Sequence, residues 1–141
     1  MNTNFRAAVN RQGRRIAIAG IGAVATVGIA AMPAQAASWT SSISGGARGF
    51  ESHRWSDDGA SNNIKFTGCR DDYQNKTVGV TPRKDVTGPD PEYSTAQYTA
   101  CFGGGTSSGT WTNKGSGDFY FAVNYQYNGV HVWVTKVGVY F

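Results

Sequence analysis

Residues 118–141 read DFYFAVNYQYNGVHVWVTKVGVYF, with hydrophobic side chains at every second position along most of the stretch. This period of two is typical of β-strands that bury one face. The pair Asn128-Gly129 separates two such runs and is a preferred sequence for a tight type I′ turn. We therefore predict a C-terminal hairpin that joins strands 118–127 and 130–141.

The turn would fix the register of this hairpin, because residues at equal distances from it oppose each other. One side would face the core in three pairs: Tyr127 with Val130, Tyr125 with Val132, and Val123 with Val134. The other side would carry Ala122, Asn124, Gln126, His131, Trp133 and Thr135. Because Val137 and Val139 fall out of phase with the earlier valines, we predict a β-bulge near Thr135 and Lys136.

Shorter alternating runs precede the hairpin, and clusters of Gly, Asn, Asp and Pro separate them. They predict strands at 39–44, 49–55, 63–69, 77–81, 96–102 and 109–113. The chain contains no leucine, and both methionines, Met1 and Met32, lie near its start. The core must therefore be built from β-branched and aromatic residues, which favour strands. We predict an all-β fold, a single antiparallel β-sandwich of about seven or eight strands.

The first 36 residues have the composition of an export signal. A leader with four arginines precedes an apolar run, and Ala34-Gln35-Ala36 fits a signal-peptidase site. We predict a removed signal peptide at 1–36, an N-terminal strand or arm at 37–48, and a sandwich domain at 49–141. The protein would be secreted and extracellular. Arg14-Arg15 leaves both the general and the twin-arginine export routes open.

The signal carries the excess positive charge of the chain. Four of the thirteen basic residues lie in it, so residues 37–141 hold nine basic and nine acidic residues. A balanced charge gives little net attraction for polyanions. We therefore expect no nucleic-acid partner, and no membrane association once the signal is removed.

Cys69 and Cys101 are the only cysteines. In an oxidising compartment such a pair usually forms a disulfide, and we predict that bond. Two thiols and two histidines are too few for a convincing zinc site. The acidic turns at 57–62 and 71–72 do not match the usual calcium-binding loop. We predict no metal site and no cofactor.

The segment GFESHRWSDD, residues 49–58, brings one glutamate, one serine, one histidine and two aspartates close together in sequence. A catalytic triad needs the serine hydroxyl within hydrogen-bond reach of the imidazole. On a strand, however, Ser52 and His53 point to opposite faces. We therefore predict no catalytic residues and a protein that is not an enzyme.

All but one of the Phe, Tyr and Trp residues lie in 37–141. Aromatic rings flanked by amides are common in recognition surfaces. We predict a protein-binding surface on the N-terminal strand and the outer side of the hairpin, with candidate residues Trp39, Ile43, Tyr120, Asn124, Gln126, His131 and Trp133. The sequence also leaves open the alternative that a second sheet covers this side of the hairpin. The alternative function is a carbohydrate-binding module that stacks sugars on Trp133 or Trp111.

The segments WTSSIS, GFESHRWSDD, IKFTGC, TAQYTAC, GTW and SGDFYF, after an Ala-x-Ala signal, together resemble small secreted Streptomyces proteins. Within that group the chain is similar to the adaptor subunit of umbrella toxin particles, and the resemblance spans 37–141. It implies a non-enzymatic adaptor in an extracellular antibacterial toxin complex. The β-domain would dock on the large toxin subunit, and residues 37–43 would insert into a lectin-like propeller subunit. Secreted protease or amylase inhibitors are the runner-up, although their extra cysteines are absent.

Overall fold

The computed structural model describes residues 37–125 and 128–141. The predicted signal peptide and two residues of the predicted hairpin, Gln126 and Tyr127, lie outside the described residues. Within the described part, the helical structure is one turn of 3-10 helix, Ala100–Gly103. No helix in this part is long and apolar enough to cross a membrane.

The described residues form eight strands in two antiparallel sheets of four strands each. In spatial order, the first sheet contains β1 (Ser38–Ala47), β8 (His131–Tyr140), β3 (Asn62–Asp71) and β6 (Thr106–Trp111). The second sheet contains β2 (Trp55–Asp57), β7 (Gly117–Asn124), β4 (Val78–Asp85) and β5 (Ala96–Tyr98). The predicted all-β sandwich is confirmed.

Aromatic and β-branched residues from both sheets fill the core, as a chain without leucine requires. Phe66 of β3 meets Phe121 of β7 edge to face, with ring centroids 5.6 Å apart. The hydroxyl of Tyr98 in β5 donates a hydrogen bond to the carbonyl of Ile64 in β3. Rings of this size bury a large apolar area each, so a small number of them is enough to join the sheets.

The predicted C-terminal hairpin is wrong. β7 pairs with β2 and β4 in the second sheet, whereas β8 pairs with β1 and β3 in the first. The chain therefore crosses between the sheets after β7 ends at Asn124 and before β8 begins at His131. The described residues of the predicted core side are buried, namely Val123, Tyr125, Val130, Val132 and Val134. They reach the core from opposite sheets, because alternation fixes which face of a strand is buried but not its partner.

The predicted bulge in the last strand is confirmed. In the pairing of β1 with β8, two residues, Thr135 and Lys136, lie opposite the single residue Ser42. The extra residue returns Val137 and Val139 to the buried face. A two-for-one bulge is the usual way for a strand to change the phase of its side chains.

The predicted disulfide joins Cys69 in β3 to Cys101 in the 3-10 helix. Both residues are buried. The backbone N–H of Cys101 also donates to the hydroxyl of Ser107 at 3.0 Å. The bond therefore fixes the connection between β5 and β6 onto the first sheet.

Residues 49–58 form an irregular edge beside β7. Regular strand structure is limited to β2, which is shorter and begins later than predicted. Three residues, 52–54, face only two residues of β7. The hydroxyl of Ser52 compensates, because it accepts a hydrogen bond from the N–H of Phe121 at 3.0 Å.

An ion pair between Asp57 and Lys114 is fully buried. The Nζ of Lys114 lies 2.9 Å from Oδ2 of Asp57, and both side chains are 0% exposed. Lys114 also donates to the carbonyl of Ala60 at 3.3 Å, and the N–H of Gly59 donates to Oδ1 of Asp57 at 2.9 Å. The ring of Phe119 covers the ammonium, whose Nζ is 4.6 Å from the ring centroid. The pair attaches the end of β2 to the connection between β6 and β7.

Candidate interaction surfaces

The structure divides the predicted binding residues between the two sheets. Tyr120 and Asn124 belong to β7, whereas His131 and Trp133 belong to β8. The single face that the hairpin prediction gave them does not exist, because these two strands do not pair. The fifth residue of that face, Gln126, lies outside the described residues.

Tyr120 is a buried residue with a structural role. It is 2% exposed, and its hydroxyl donates to Oδ2 of Asp90 at 2.6 Å. The guanidinium of Arg54 lies 4.2 Å from the centroid of its ring. The hydrogen bond from Tyr120 lowers the pKa of Asp90, and burial raises the pKa of Tyr120. Tyr120 therefore holds the connection between β4 and β5 against β7.

Replacing Tyr120 by phenylalanine should raise the pKa of Asp90 towards its ordinary value, because the charged carboxylate loses a hydrogen bond. An NMR titration of the Asp90 side chain measures this change. A lowered folded-state pKa stabilises the fold above the ordinary carboxyl pKa, and that contribution is lost as the pH falls through the folded value. The stability difference between wild type and variant should therefore shrink in acid.

Tyr93→Phe is the control for this titration, because the Tyr93 hydroxyl contacts the carbonyl of Lys114 instead. It should leave the pKa of Asp90 unchanged. An Asp90 that titrates identically in wild type and Tyr120→Phe would contradict the assignment.

The two candidate residues of the N-terminal strand, Trp39 and Ile43, hold β1 on the sandwich. Ile43 is 5% exposed and belongs to the core. The ring centroid of Trp39 lies 3.8 Å from that of His53 and 6.4 Å from that of Phe121. Residues 38–47 are therefore a docked strand, and both side chains are used in the fold.

β1 lies at the edge of the first sheet, and within the described ranges its one strand partner is β8. The N–H of Phe141 donates to the carbonyl of Ala37 at 2.8 Å, so the backbone groups of every second residue from Ala37 face β8. Those of Ser38 and Thr40 face the open side. Pairing with β8 is regular from residue 38 to residue 41, and the irregularities follow Ser41.

The outer face of the first sheet carries cations beside aromatic rings. Arg70 lies opposite Trp133, with its guanidinium 4.3 Å from the ring centroid. The Nζ of Lys65 lies 5.0 Å from the ring centroid of Tyr140. Lys136, opposite Thr67, completes the group. We call these five side chains, Lys65, Arg70, Trp133, Lys136 and Tyr140, the cationic face.

His131 lies at the rim of the first sheet and is bound by Asp72. Its Nδ1 is 2.9 Å from Oδ2, and its backbone N–H donates to Oδ1 at 2.8 Å. These hydrogen bonds lower the pKa of Asp72. His131 therefore connects β8 to the segment that follows β3.

Both tryptophans expected to stack on sugars contact other protein groups. Trp111 is 5% exposed, and its Nε1 donates to the carbonyl of Ser94 at 2.7 Å. Trp133 has Arg70 over its ring, and Gly45 is so near that a Cβ there would lie 3.7 Å from Cζ2 of the indole. A flat aromatic platform for a sugar is therefore not presented at either position.

A groove beside β4, β5 and β7 is the second candidate surface, with a volume of about 660 Å³. Asn124 lines it together with two more amides, Asn75 and Gln97, and the described lining residues are all uncharged. Tyr125 also lines the groove, and its buried hydroxyl has no hydrogen-bond partner among residues 37–125 and 128–141. Burial raises the pKa of this hydroxyl. Amides and hydroxyls of this kind suit a neutral polar ligand.

The reactive residues of 49–58 are occupied by structural contacts. The Ser52 hydroxyl donates to the carbonyl of His53 at 2.9 Å, and the imidazole of His53 packs on Trp39. Glu51 pairs with Arg54 at 3.1 Å. Across the described ranges, no group of three or more His, Cys, Asp or Glu side chains could hold a metal ion.

The cationic face was not predicted from the sequence. Its three cations, Lys65, Arg70 and Lys136, are separated in sequence and meet because β3 pairs with β8. The alternating pattern of each strand indicated that these side chains point outward. Without the strand order, however, it could not show that they share one face.

Comparisons of the chain with protein-family profiles, curated proteins and solved structures found no match. The open edge of β1, the cationic face and the groove are therefore the features of the structure that bear on function.

Proposed function

We propose that the protein is a secreted, non-enzymatic protein-binding module, and that the open edge of β1 receives a strand from its partner. The observation that carries the proposal is a regular, unprotected edge over residues 38–41. Adding a strand to such an edge satisfies backbone groups on both chains and is a common mode of protein recognition. The disulfide is compatible with an extracellular location.

The composition of β1 supports this role. Natural edge strands usually carry charges, proline or bulges that prevent pairing with other chains. β1 reads SWTSSISGGA and contains neither a charged residue nor a proline. Its irregularities lie after Ser41, so they leave the first four residues available. Ser38 and Thr40 present the backbone groups that an added strand would need.

The docking of β1 affects how an adaptor would use its N-terminal segment. Insertion of residues 37–43 into a partner would require β1 to leave β8 and would expose Ile43, which is now in the core. In the function proposed here the segment stays in the sheet and the partner strand comes to it. An adaptor in an extracellular toxin complex, the function implied by the resemblance, is a protein-binding module of this class.

Substitution of Thr40 by proline tests the proposal. Proline removes the N–H that faces the open side and leaves the bonds to β8 in place, since edge strands tolerate proline at such positions. The tagged protein, exported by its own N-terminal segment, is recovered from the culture medium of the producing organism. Capture of its partner by Thr40→Pro should fall by at least about tenfold.

Thr40→Val is the matched control, because it keeps the backbone N–H and the β-branched shape. It should capture the same proteins as the wild type, and all three proteins should have the same circular dichroism spectrum. Undiminished capture by Thr40→Pro would refute strand addition. The identity of the captured protein also distinguishes two functions within this class. A large toxin chain would favour an adaptor, and a hydrolase would favour an inhibitor.

A carbohydrate-binding module is the second candidate function, and the uncharged, amide-lined groove favours it. Amide groups can donate to and accept from sugar hydroxyls. The groove is lined by residues of the second sheet and its connections, whereas β1 belongs to the first sheet. A module that acts through the groove would therefore be insensitive to Thr40→Pro.

A further inference from the structure

Charge is distributed unevenly over the first sheet. Its four strands contain one acidic residue, Asp71 at the end of β3. Asp71 lies opposite Val132, whose side chain points into the core, so the carboxylate is not on the outer face. The outer face instead carries Lys65, Arg70 and Lys136. Because residues 37–141 contain equal numbers of acidic and basic residues, this excess results from the fold and not from the composition.

The three cations are not neutralised within the described part of the chain. The ion pairs there use other basic residues, namely Arg54, Arg83, Lys114 and His131. Lys65 and Arg70 lie over aromatic rings, and all three cations are exposed to solvent. A carboxylate at the rim, that of Asp72, already binds His131. The cationic face is therefore available to an anion from outside the chain.

The cationic face lies next to the open edge of β1. Thr40 of β1 is opposite Gly138 of β8, which is opposite Lys65 of β3. Gly138 has no side chain, and the ring of Tyr140 packs over it, so that a Cβ there would lie 3.0 Å from Cε2 of the ring. The outward residues of β1 beside it, Ser38 and Thr40, are short hydroxyls.

At the usual spacing between strands, a strand added to β1 would lie about 10 Å from β8, which carries Lys136, and about 15 Å from β3, which carries Lys65. Extended lysine and glutamate side chains can meet across about 10 Å, over the short side chains of β1, so Lys136 is within reach. Lys65 would act at longer range, through its charge.

We propose that the strand received by β1 carries carboxylates on the side that continues the outer face, that Lys136 binds them, and that Lys65 adds to the attraction from one strand further away. The partner is thus a protein with an acidic extended segment. This inference rests on the proposed function, since it specifies the strand that β1 receives. Charge pairs at the rim of an interface mainly increase the rate of association and exclude wrong partners.

Two capped peptides of about eight residues, a usual length for a strand, provide the test. One alternates threonine with glutamate, and the other alternates threonine with glutamine. Amide shifts in the NMR spectrum of the folded protein measure their binding. The acidic peptide should bind at least about fivefold more tightly at low ionic strength, and high salt should remove this preference.

Lys65→Gln/Lys136→Gln should remove the preference for the acidic peptide, whereas Lys76→Gln, an exposed lysine outside the first sheet, should retain it. Thr40→Pro should abolish binding of both peptides. Equal affinity for the two peptides, no binding of the acidic one, or undiminished binding of it to Thr40→Pro would each overturn the inference. The glutamine peptide keeps the two proposals distinct: if it binds the wild type as tightly as the acidic peptide and is lost in Thr40→Pro, strand addition stands without the acidic preference.

Discussion

Replacing Lys114 by methionine should lower the free energy of unfolding by about 3–5 kcal/mol, the usual cost of removing one partner of a buried ion pair. The carboxylate of Asp57 would remain in a site that is 0% exposed, and the ammonium 2.9 Å away would be gone. The N–H of Gly59 would still donate to Asp57, but one hydrogen bond cannot replace a charge. Chemical denaturation of both proteins at neutral pH measures the loss.

Two variants show whether the loss comes from the unpaired charge. Lys84→Met is the matched control, since Lys84 also lies near Phe119, with Nζ 5.7 Å from the ring centroid, but is partly exposed and forms no ion pair in the described ranges. It should cost less than about 1 kcal/mol. Asp57→Asn/Lys114→Met removes both charges and should recover at least half of the loss. If the double variant is as unstable as Lys114→Met, the charge of Asp57 is not the cause.

Removing the disulfide by Cys69→Ala/Cys101→Ala should cost about 2–5 kcal/mol. The bond closes a loop with a sequence separation of 32, which restricts the unfolded chain. It also holds the 3-10 helix, to which the N–H of Cys101 adds a single hydrogen bond with the Ser107 hydroxyl. Calorimetry should show a lower melting temperature for the variant.

Reductant provides the internal control for this comparison. It should lower the melting temperature of the wild type to near that of the double alanine variant and leave the variant unchanged. Wild type and variant that melt together under non-reducing conditions would show that the bond contributes nothing to stability.

Local features of the fold were predictable from the sequence, because each depends on residues close together in the chain. The phase change at Thr135 and Lys136 followed from the spacing of the valines, and the buried positions of Val123 and Val132 followed from alternation. Predicting the disulfide required only the number of cysteines and the assumption of an oxidising compartment. In each case neighbouring residues or a simple pairing rule carried the information.

The strand order was not predictable, and the candidate site depends on it. Asn128-Gly129 suits a hairpin turn, but it also permits a crossing between sheets, and only packing distinguishes the two. The error grouped Asn124 with Trp133, which belong to different sheets. It also concealed the cationic face, because Lys65 and Lys136 come together through long-range pairing of β3 with β8.

The position of β8 also limits when the molecule can fold. It is the final strand in the chain, yet it lies between β1 and β3, and in the described part β1 has no alternative strand partner. When the polypeptide emerges N-terminus first, β1 cannot pair with a strand of its sheet until residues 131–140 are available. Closing a loop of that length delays assembly, because entropy is lost before the contacts that reward it can form. The first sheet can therefore close only after its last strand, β8, is available.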